Sequence, residues 1–306
     1  MRRHSKTQKR HRRKQRRVRS HRQRGGQDTC IFVNWGPGLG LGNQLFIYTA
    51  GLVVKNKTGK KLCVFPQVGN MHSDKDYRPL LNHAVSVDRT SEMLQRLEAA
   101  TKMHARKEVQ QGAWNTNDIP NVTGDLRLKD SKTPGYEGGY YQNYDSLKSA
   151  FPQVRTEFVG QLKNLYGDLS IKPKAAFMQV RRGDLVYFKE DVKPDYLRAA
   201  LLELDKVPEI ETLYCIAHPT EIEWCKSQDF KTSKTLEWFD DPDELKAMYL
   251  MSQCTAGAII SPSSFSVWGA ILGPDANPSS TIIYPKVWSP NMPHINMMFP
   301  KRWIGI

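Results

Sequence analysis

The stretch that decides the reading is Ala175-Ala176-Phe177-Met178-Gln179-Val180-Arg181-Arg182-Gly183-Asp184. A mostly apolar run passes straight into two arginines, a glycine and an acid. Such a run, bounded by turn residues, fits a strand covered on both faces, as in a parallel sheet. Ligands of these sheets gather at the carboxyl ends of the strands, where the arginine pair stands. Arginine presents a planar fork of donors that matches phosphate oxygens two at a time and keeps its proton at physiological pH. Alone, the run reads more simply as a surface Arg–Asp pair. Its company along the chain changes that.

Towards the C-terminus, strands read at 175–180, 212–217, 234–239, 256–261 and 281–284 alternate with helices near 194–204, 220–227, 242–253 and 264–272. Alternation at these lengths predicts a parallel, doubly wound sheet. Towards the N-terminus, the apolar run Cys30-Ile31-Phe32-Val33 leads into Gly36-Pro37-Gly38-Leu39-Gly40-Leu41-Gly42-Asn43-Gln44, then a helix over 44–56 and a strand at 62–65. Strand, glycine turn and helix bring backbone N–H groups to a phosphate. The turn is not a Walker loop, because no Gly-Lys-Ser/Thr closes it. Nor is it a dinucleotide fingerprint, since the third glycine falls on Leu39, Leu41 or Asn43. Between about 68 and 134 the chain is polar and weakly periodic. It contains one clear helix, 91–110, with Ser91 as its cap, and Trp114 as an aromatic platform or core filler. A second amphipathic helix is expected over 151–166.

The formal net charge is +14 over 306 residues, and residues 1–24 hold thirteen Lys or Arg and no acid. Without them the body carries +1, so the protein reads as a near-neutral globule with a basic arm. The arm lacks the apolar residues to fold alone and is expected to be disordered. It suits polyanion contact, an anionic membrane surface or nuclear targeting, or it is a dispensable solvated extension. No apolar segment follows it as in a signal peptide, and no stretch has transmembrane length. Cys30, Cys63, Cys215, Cys225 and Cys254 are odd in number and widely spaced. We therefore expect buried thiols without disulfides or zinc, in a soluble cytoplasmic protein. Asn56-Lys57-Thr58 and Asn121-Val122-Thr123 fit the glycosylation sequon, which on that reading stays unused.

Seven segments occur in the order of one family. Residues 38–46 contain Gly-Leu-Gly-Asn-Gln-Leu-Phe, which resembles the opening loop of the α-1,2-fucosyltransferases (glycosyltransferase family 11). Residues 139–144, Gly-Tyr-Tyr-Gln-Asn-Tyr, resemble that family's next motif, and 179–184 resemble its His-x-Arg-Arg-x-Asp. Glu223-Trp224-Cys225-Lys226, the pair 249–254 and 263–270, 283–288, and the ending 300–304 are similar to its later segments.

The resemblance implies a GT-B-type architecture, two Rossmann-like domains around a cleft. Residues 1–27 would form the arm, 28–170 an acceptor-side α/β domain, and 171–306 the domain binding the GDP-sugar. It implies inverting transfer of L-fucose from GDP-β-L-fucose to the 2-OH of a β-galactoside, with neither metal nor cofactor. The partners are then a GDP-sugar donor and a galactose-terminated glycan. Charge building on the departing β-phosphate must meet preorganised donors. Arg182 is the first candidate and Arg181 the second, with Ser263, Ser264 and the N–H of Phe265 at a helix start. Asn43 would close over the phosphate or the fucose, and Gly38, Gly40 and Gly42 would admit close backbone approach. Trp268 is expected in the core. Asp184 is the first candidate for general base, with Glu190 and Asp191 as alternatives. Gln179 stands where the family has His, which excludes an imidazolium there. Ala247 stands where the family commonly has an Asp facing guanine, so Asp243 or Glu244, or the main chain, would read the base. Two other readings stay open: a transferase using another GDP-sugar, and a degenerate fold whose basic arm is the active part.

Overall fold

The computed structural model describes residues 29–33, 40–64, 76–88, 90–104, 125–127, 141–288 and 299–306. The basic arm, Gly38, Trp114 and the sequon at 121–123 lie outside them.

In the N-terminal half, Cys30–Phe32 (β1) and Lys61–Val64 (β2) pair in parallel, with Cys63 opposite Phe32. Helix α1, Leu41–Thr58, joins them. Ala84–Ser86 (β3) lies beside β2 and Leu126–Arg127 (β4) beside β1, in the order β3-β2-β1-β4. Helix α2 (Ser91–His104) is capped by Thr90 rather than Ser91, the Thr90 hydroxyl oxygen accepting the Met93 N–H at 3.3 Å.

The chain then runs through α3 (Tyr144–Leu147), α4 (Phe151–Val154) and α5 (Gly160–Tyr166). A five-residue π turn, Arg155–Val159, interrupts what reads as one amphipathic helix. The wider turn carries Arg155, whose guanidinium donates to the carbonyls of Ile271 and Leu272.

The second sheet contains β5 (Ala175–Val180), β6 (Thr212–Ala217), β7 (Thr235–Phe239), β8 (Gly257–Ile259), β9 (Thr281–Tyr284) and β10 (Ile304–Gly305). Its order is β10-β9-β8-β5-β6-β7, and every pairing is parallel. Helices α6 (Leu185–Phe188), α7 (Pro194–Asp205), α8 (Ile222–Ser227), α9 (Glu244–Gln253) and α10 (Ser264–Leu272) connect the strands. Two parallel α/β sheets are the architecture the resemblance implies. In each sheet the first strand pairs with both the second and the fourth, so the winding reverses between β1 and β4 and between β5 and β8. Such reversals open a crevice at the carboxyl ends of the strands.

All of β5 is buried, as a strand covered on both faces must be. Phe177 faces a core shared by both halves, with Leu45, Phe46, Phe151 and Trp268 in it, while Ala176, Met178 and Val180 face a second core built on α7 and β6. Trp268 is fully buried and meets Phe46 and Phe151 edge-on, with centroids at 5.2 and 5.7 Å. It is a packing residue, as expected. At the C-terminal edge, Tyr144, Arg302 and Trp303 all donate to the Asp275 carboxylate, and burial together with that carboxylate drives the Tyr144 pKa well up. Among the described residues no helix is long and apolar enough to cross a membrane.

The cysteines correct the sequence reading. Cys30 and Cys63 form a disulfide across β1 and β2, with Cα atoms 5.6 Å apart. A separation of 33 residues gives no hint that two neighbouring parallel strands bring them within reach, diagonally, since Cys30 pairs with Lys61 and Cys63 with Phe32. The case for a reducing compartment therefore loses its ground. Cys215, Cys225 and Cys254 are free and buried, and burial pushes the Cys225 thiol up to about 11.

Asp125 ties β1 to α2. It accepts the Cys30 N–H at 2.7 Å and both arms of the Arg96 fork at 2.8 Å. Burial alone would raise its pKa, but the Arg96 and Cys30 bonds outweigh burial and hold it below the ordinary carboxylate value. A carboxylate depressed in the folded state contributes stability above its unfolded pKa of about 3.9 and loses it as pH falls through the folded value. Asp125→Asn should therefore cost about 1–3 kcal/mol at pH 7. In urea titrations at stepped pH, the gap from the parent should close below about pH 4. Trp268→Ala should lower stability by about 3–5 kcal/mol, read as a shift in the denaturation midpoint at constant slope.

Candidate active site at two facing helix starts

The carboxyl ends of β5 and β8 are strapped together by one hydroxyl. The fully buried Ser261 donates to the Gln179 carbonyl at 2.5 Å and accepts the Arg181 N–H at 3.0 Å. Its own N–H donates to Ser266 Oγ at 3.0 Å, which fixes where α10 begins. Ser263 sits extended at the cap position, its side chain makes no cap bond, and the first turn has no acid. The opening N–H groups of a helix lack intrahelical partners and carry the positive end of its dipole.

A second helix start lies against this one. Helix α1 begins at Leu41, three residues earlier than read, with Gly40 as a cap without a side chain and again no acid in the first turn. A Cβ on Gly42 would fall on the Ser264 carbonyl carbon and 2.5 Å from the Phe265 nitrogen. Glycine is required because backbone meets backbone. The close backbone approach that Gly42 permits includes that of α10. Asn43 is held by the fold rather than standing free. It lies in the first turn of α1, and its Oδ1 accepts from Gln142 Nε2 at 3.0 Å, which joins the glycine motif to the Gly-Tyr-Tyr-Gln-Asn-Tyr motif.

The two arginines part company. Arg182 is held by Glu221 at 2.9 Å, lies 3.7 Å from Asp191, and stacks over Trp224 with its guanidinium carbon 3.6 Å from the ring centroid. Two carboxylates balance its charge and 17% of its side chain is exposed. Arg181 is twice as exposed, at 34%, and pairs with Asp184, itself 47% exposed. Gly183 makes that fold-back possible with φ +49°, a region side chains disfavour.

Gln179 shares a face of β5 with Phe177, is buried, and its Oε1 has no hydrogen-bond partner among the described residues. Asp243 and Glu244 have structural duties. Asp243 caps α9 through the Leu245 N–H and accepts from Tyr166 at 2.7 Å, while Glu244 accepts from Tyr77 at 2.5 Å. The structure thus brings together Gly40, Gly42, Ser263, Ser264 and Phe265 at the helix starts. Gln179, Arg181 and Asp184 stand at the end of β5. Sequence reasoning missed the roles of Ser261 and Glu221, and Gln142 and Ser266 stood only inside matching motifs. Trp224 was visible only as part of a matching motif.

Comparison places this geometry in a class. The sequence model of glycosyl transferase family 11 matches residues 94–306, more than two thirds of the chain. The chain belongs to that family, and glycosyl transfer is its activity. The glycine loop lies N-terminal to the matched region. No curated protein matches. Among solved structures, the chain is similar to a glycosyl transferase family 9 protein from Veillonella parvula DSM 2008, at 10% identity over 91% of this chain and 86% of that one, with a TM-score of 0.44. It is similar to ADP-heptose LPS heptosyltransferase II of E. coli, at 10% identity over 91% and 90%, with a TM-score of 0.43. A third is the E. coli heptosyltransferase WaaC with ADP, at 10% identity over 91% and 90%, with a TM-score of 0.42.

Gly42→Ala tests the abutment. It should destabilise the chain by about 1–3 kcal/mol, because neither backbone can yield without moving a helix. Chemical denaturation of the variant against the parent measures the loss.

Proposed function

We propose that the chain transfers L-fucose from GDP-β-L-fucose, with inversion, to the 2-OH of a β-galactoside-type acceptor. The observation that carries the reading is the meeting of two helix starts, free of first-turn acids and side-chain caps, just after the Ser261 hydroxyl that accepts the Arg181 N–H. Donors fixed in place before reaction stabilise charge as it develops, without reorganising when it appears. In this proposal the pyrophosphate lies against Ser263, Ser264 and the Phe265 N–H, with Arg181 reaching the β-phosphate. Arg182 acts as a positioning residue, locking the end of β5 to α8 through Glu221 and Trp224. The acceptor oxygen attacks C1 of fucose, the C1–O bond to GDP breaks, and the acceptor proton passes to Asp184. Asp191 is less suited as base, since it faces two cations, Lys193 at 2.6 Å and Arg182, and is 12% exposed. Asp184, among the described residues, pairs with Arg181 alone and is 47% exposed. With Asp243 and Glu244 engaged elsewhere, guanine is read by main chain.

Calorimetry of GDP binding to the full chain, with and without Mg²⁺, tests the donor site. Binding in both conditions is expected, and Arg181→Ala should weaken it about tenfold or more, the value of a charge-assisted hydrogen bond. A parent chain that does not bind GDP would sink the reading. Turnover of another GDP-sugar in preference to GDP-β-L-fucose would move the donor assignment.

A further inference from the structure

The residues just beyond the arginine motif have no role in the donor site. Val186, Tyr187 and Phe188 form the end of α6 and are 42%, 85% and 61% exposed. The two rings stand at right angles, with centroids 5.2 Å apart and an interplanar angle of 89°. Exposed apolar clusters of this kind mark binding surfaces more often than chance.

The loop that carries them is built rather than trailing. Leu185 and Tyr187 donate N–H bonds back to the carbonyls of Arg182 and Asp184, at 2.9 and 3.1 Å. Lys189 takes a left-handed conformation with φ +59°, after which the Glu190 N–H returns to the Leu185 carbonyl at 2.9 Å. The Val192 N–H closes the base of the loop on the Arg181 carbonyl at 3.3 Å. Tyr187 and Phe188 are thus carried on the same short closed turn as Arg181 and Asp184.

We propose that Tyr187 and Phe188 form the platform on which the acceptor glycan stacks, so that this corner sets acceptor affinity. The inference rests on the glycosyl-transfer reading of the adjoining site and names its second substrate's subsite. A pyranose ring has one face of C–H bonds and an edge of hydroxyls. The C–H face suits the electron-rich face of an aromatic ring. The hydroxyl edge suits the carboxylates and amines around it.

Other occupants fit less well. From 181 to 193 the sequence holds four Lys or Arg and three Asp or Glu. Most are paired, as in Arg181–Asp184, Arg182–Glu221 and Lys193–Asp191. A rim so nearly neutral gives little attraction to an anionic lipid surface. A four-residue helix also offers far less than the roughly 800 Å² per partner of a stable protein interface.

The test uses the full chain and its Tyr187→Ala, Phe188→Ala and double variants, with lactose as acceptor probe and GDP-β-L-fucose as donor. The acceptor KM should rise about tenfold or more in the double variant. Donor KM and acceptor-independent donor hydrolysis should stay within about twofold, and Tyr187→Trp should restore acceptor KM. An unchanged acceptor KM, or a donor KM that rises in step with it, overturns the platform. Saturation-transfer NMR with lactose and a panel of oligosaccharides provides a readout independent of the donor. Glycan contact by the parent that is lost in the double variant supports the platform even if GDP-β-L-fucose is not consumed, in which case the donor reading alone fails. Glycan contact that survives the double variant, absence of glycan contact in the parent, or binding to phosphatidylserine vesicles that depends on these two rings overturns it.

Discussion

The contact on which the rest depends is that of two backbones, Gly42 in α1 against Ser264 and Phe265 in α10. Each helix follows the first or fourth strand of its own sheet, at the point where the winding reverses. The first turns of both meet backbone to backbone, with only the Ser264 hydroxyl beside the contact. Any residue larger than glycine at position 42 would force the helices apart, and with them the two sheets. The packing around this junction is correspondingly continuous: Phe46 of α1, Phe151 of α4 and Trp268 of α10 lie in one core. A site assembled from both halves needs such a fixed point, because a one-ångström misplacement of charge-bearing groups weakens catalysis sharply.

Much of the C-terminal half was legible because its central strands β5, β6 and β8 are buried almost throughout. The runs 175–180, 212–217 and 281–284 appear as β5, β6 and β9 with the same bounds. The N-terminal half was less so. Val85 and Ser86 of β3 are exposed, and β4 is two residues long, so neither carries a periodic signal. Their pairing comes from tertiary neighbours. The start of α1 was misplaced because glycines in a first turn read as loop, whereas here Gly42 serves close packing. The disulfide was invisible for a related reason, since register between distant strands sets it.

At the site, the residues could be picked out from the string but their partners could not. Adjacent arginines are indistinguishable in a string, yet the chain turns Arg182 towards Glu221 and Trp224 and leaves Arg181 with the half-exposed Asp184. Serines at a helix start suggested anion binding, but Ser261 and Ser266 matter for holding that start in place. Asp243, a candidate for reading the base, also caps α9 through the Leu245 N–H.

The π turn at 155–159 has an electrical consequence. By delivering the mostly buried Arg155 to the last carbonyls of α10, it neutralises that helix's negative end with a cation little reached by salt. The positive end, at Ser263 and Ser264, is then no longer offset by its own far pole. The helix behaves less as a dipole than as a fixed partial charge of one sign. Its pull on an approaching anion falls off more slowly with distance than that of an ordinary helix terminus.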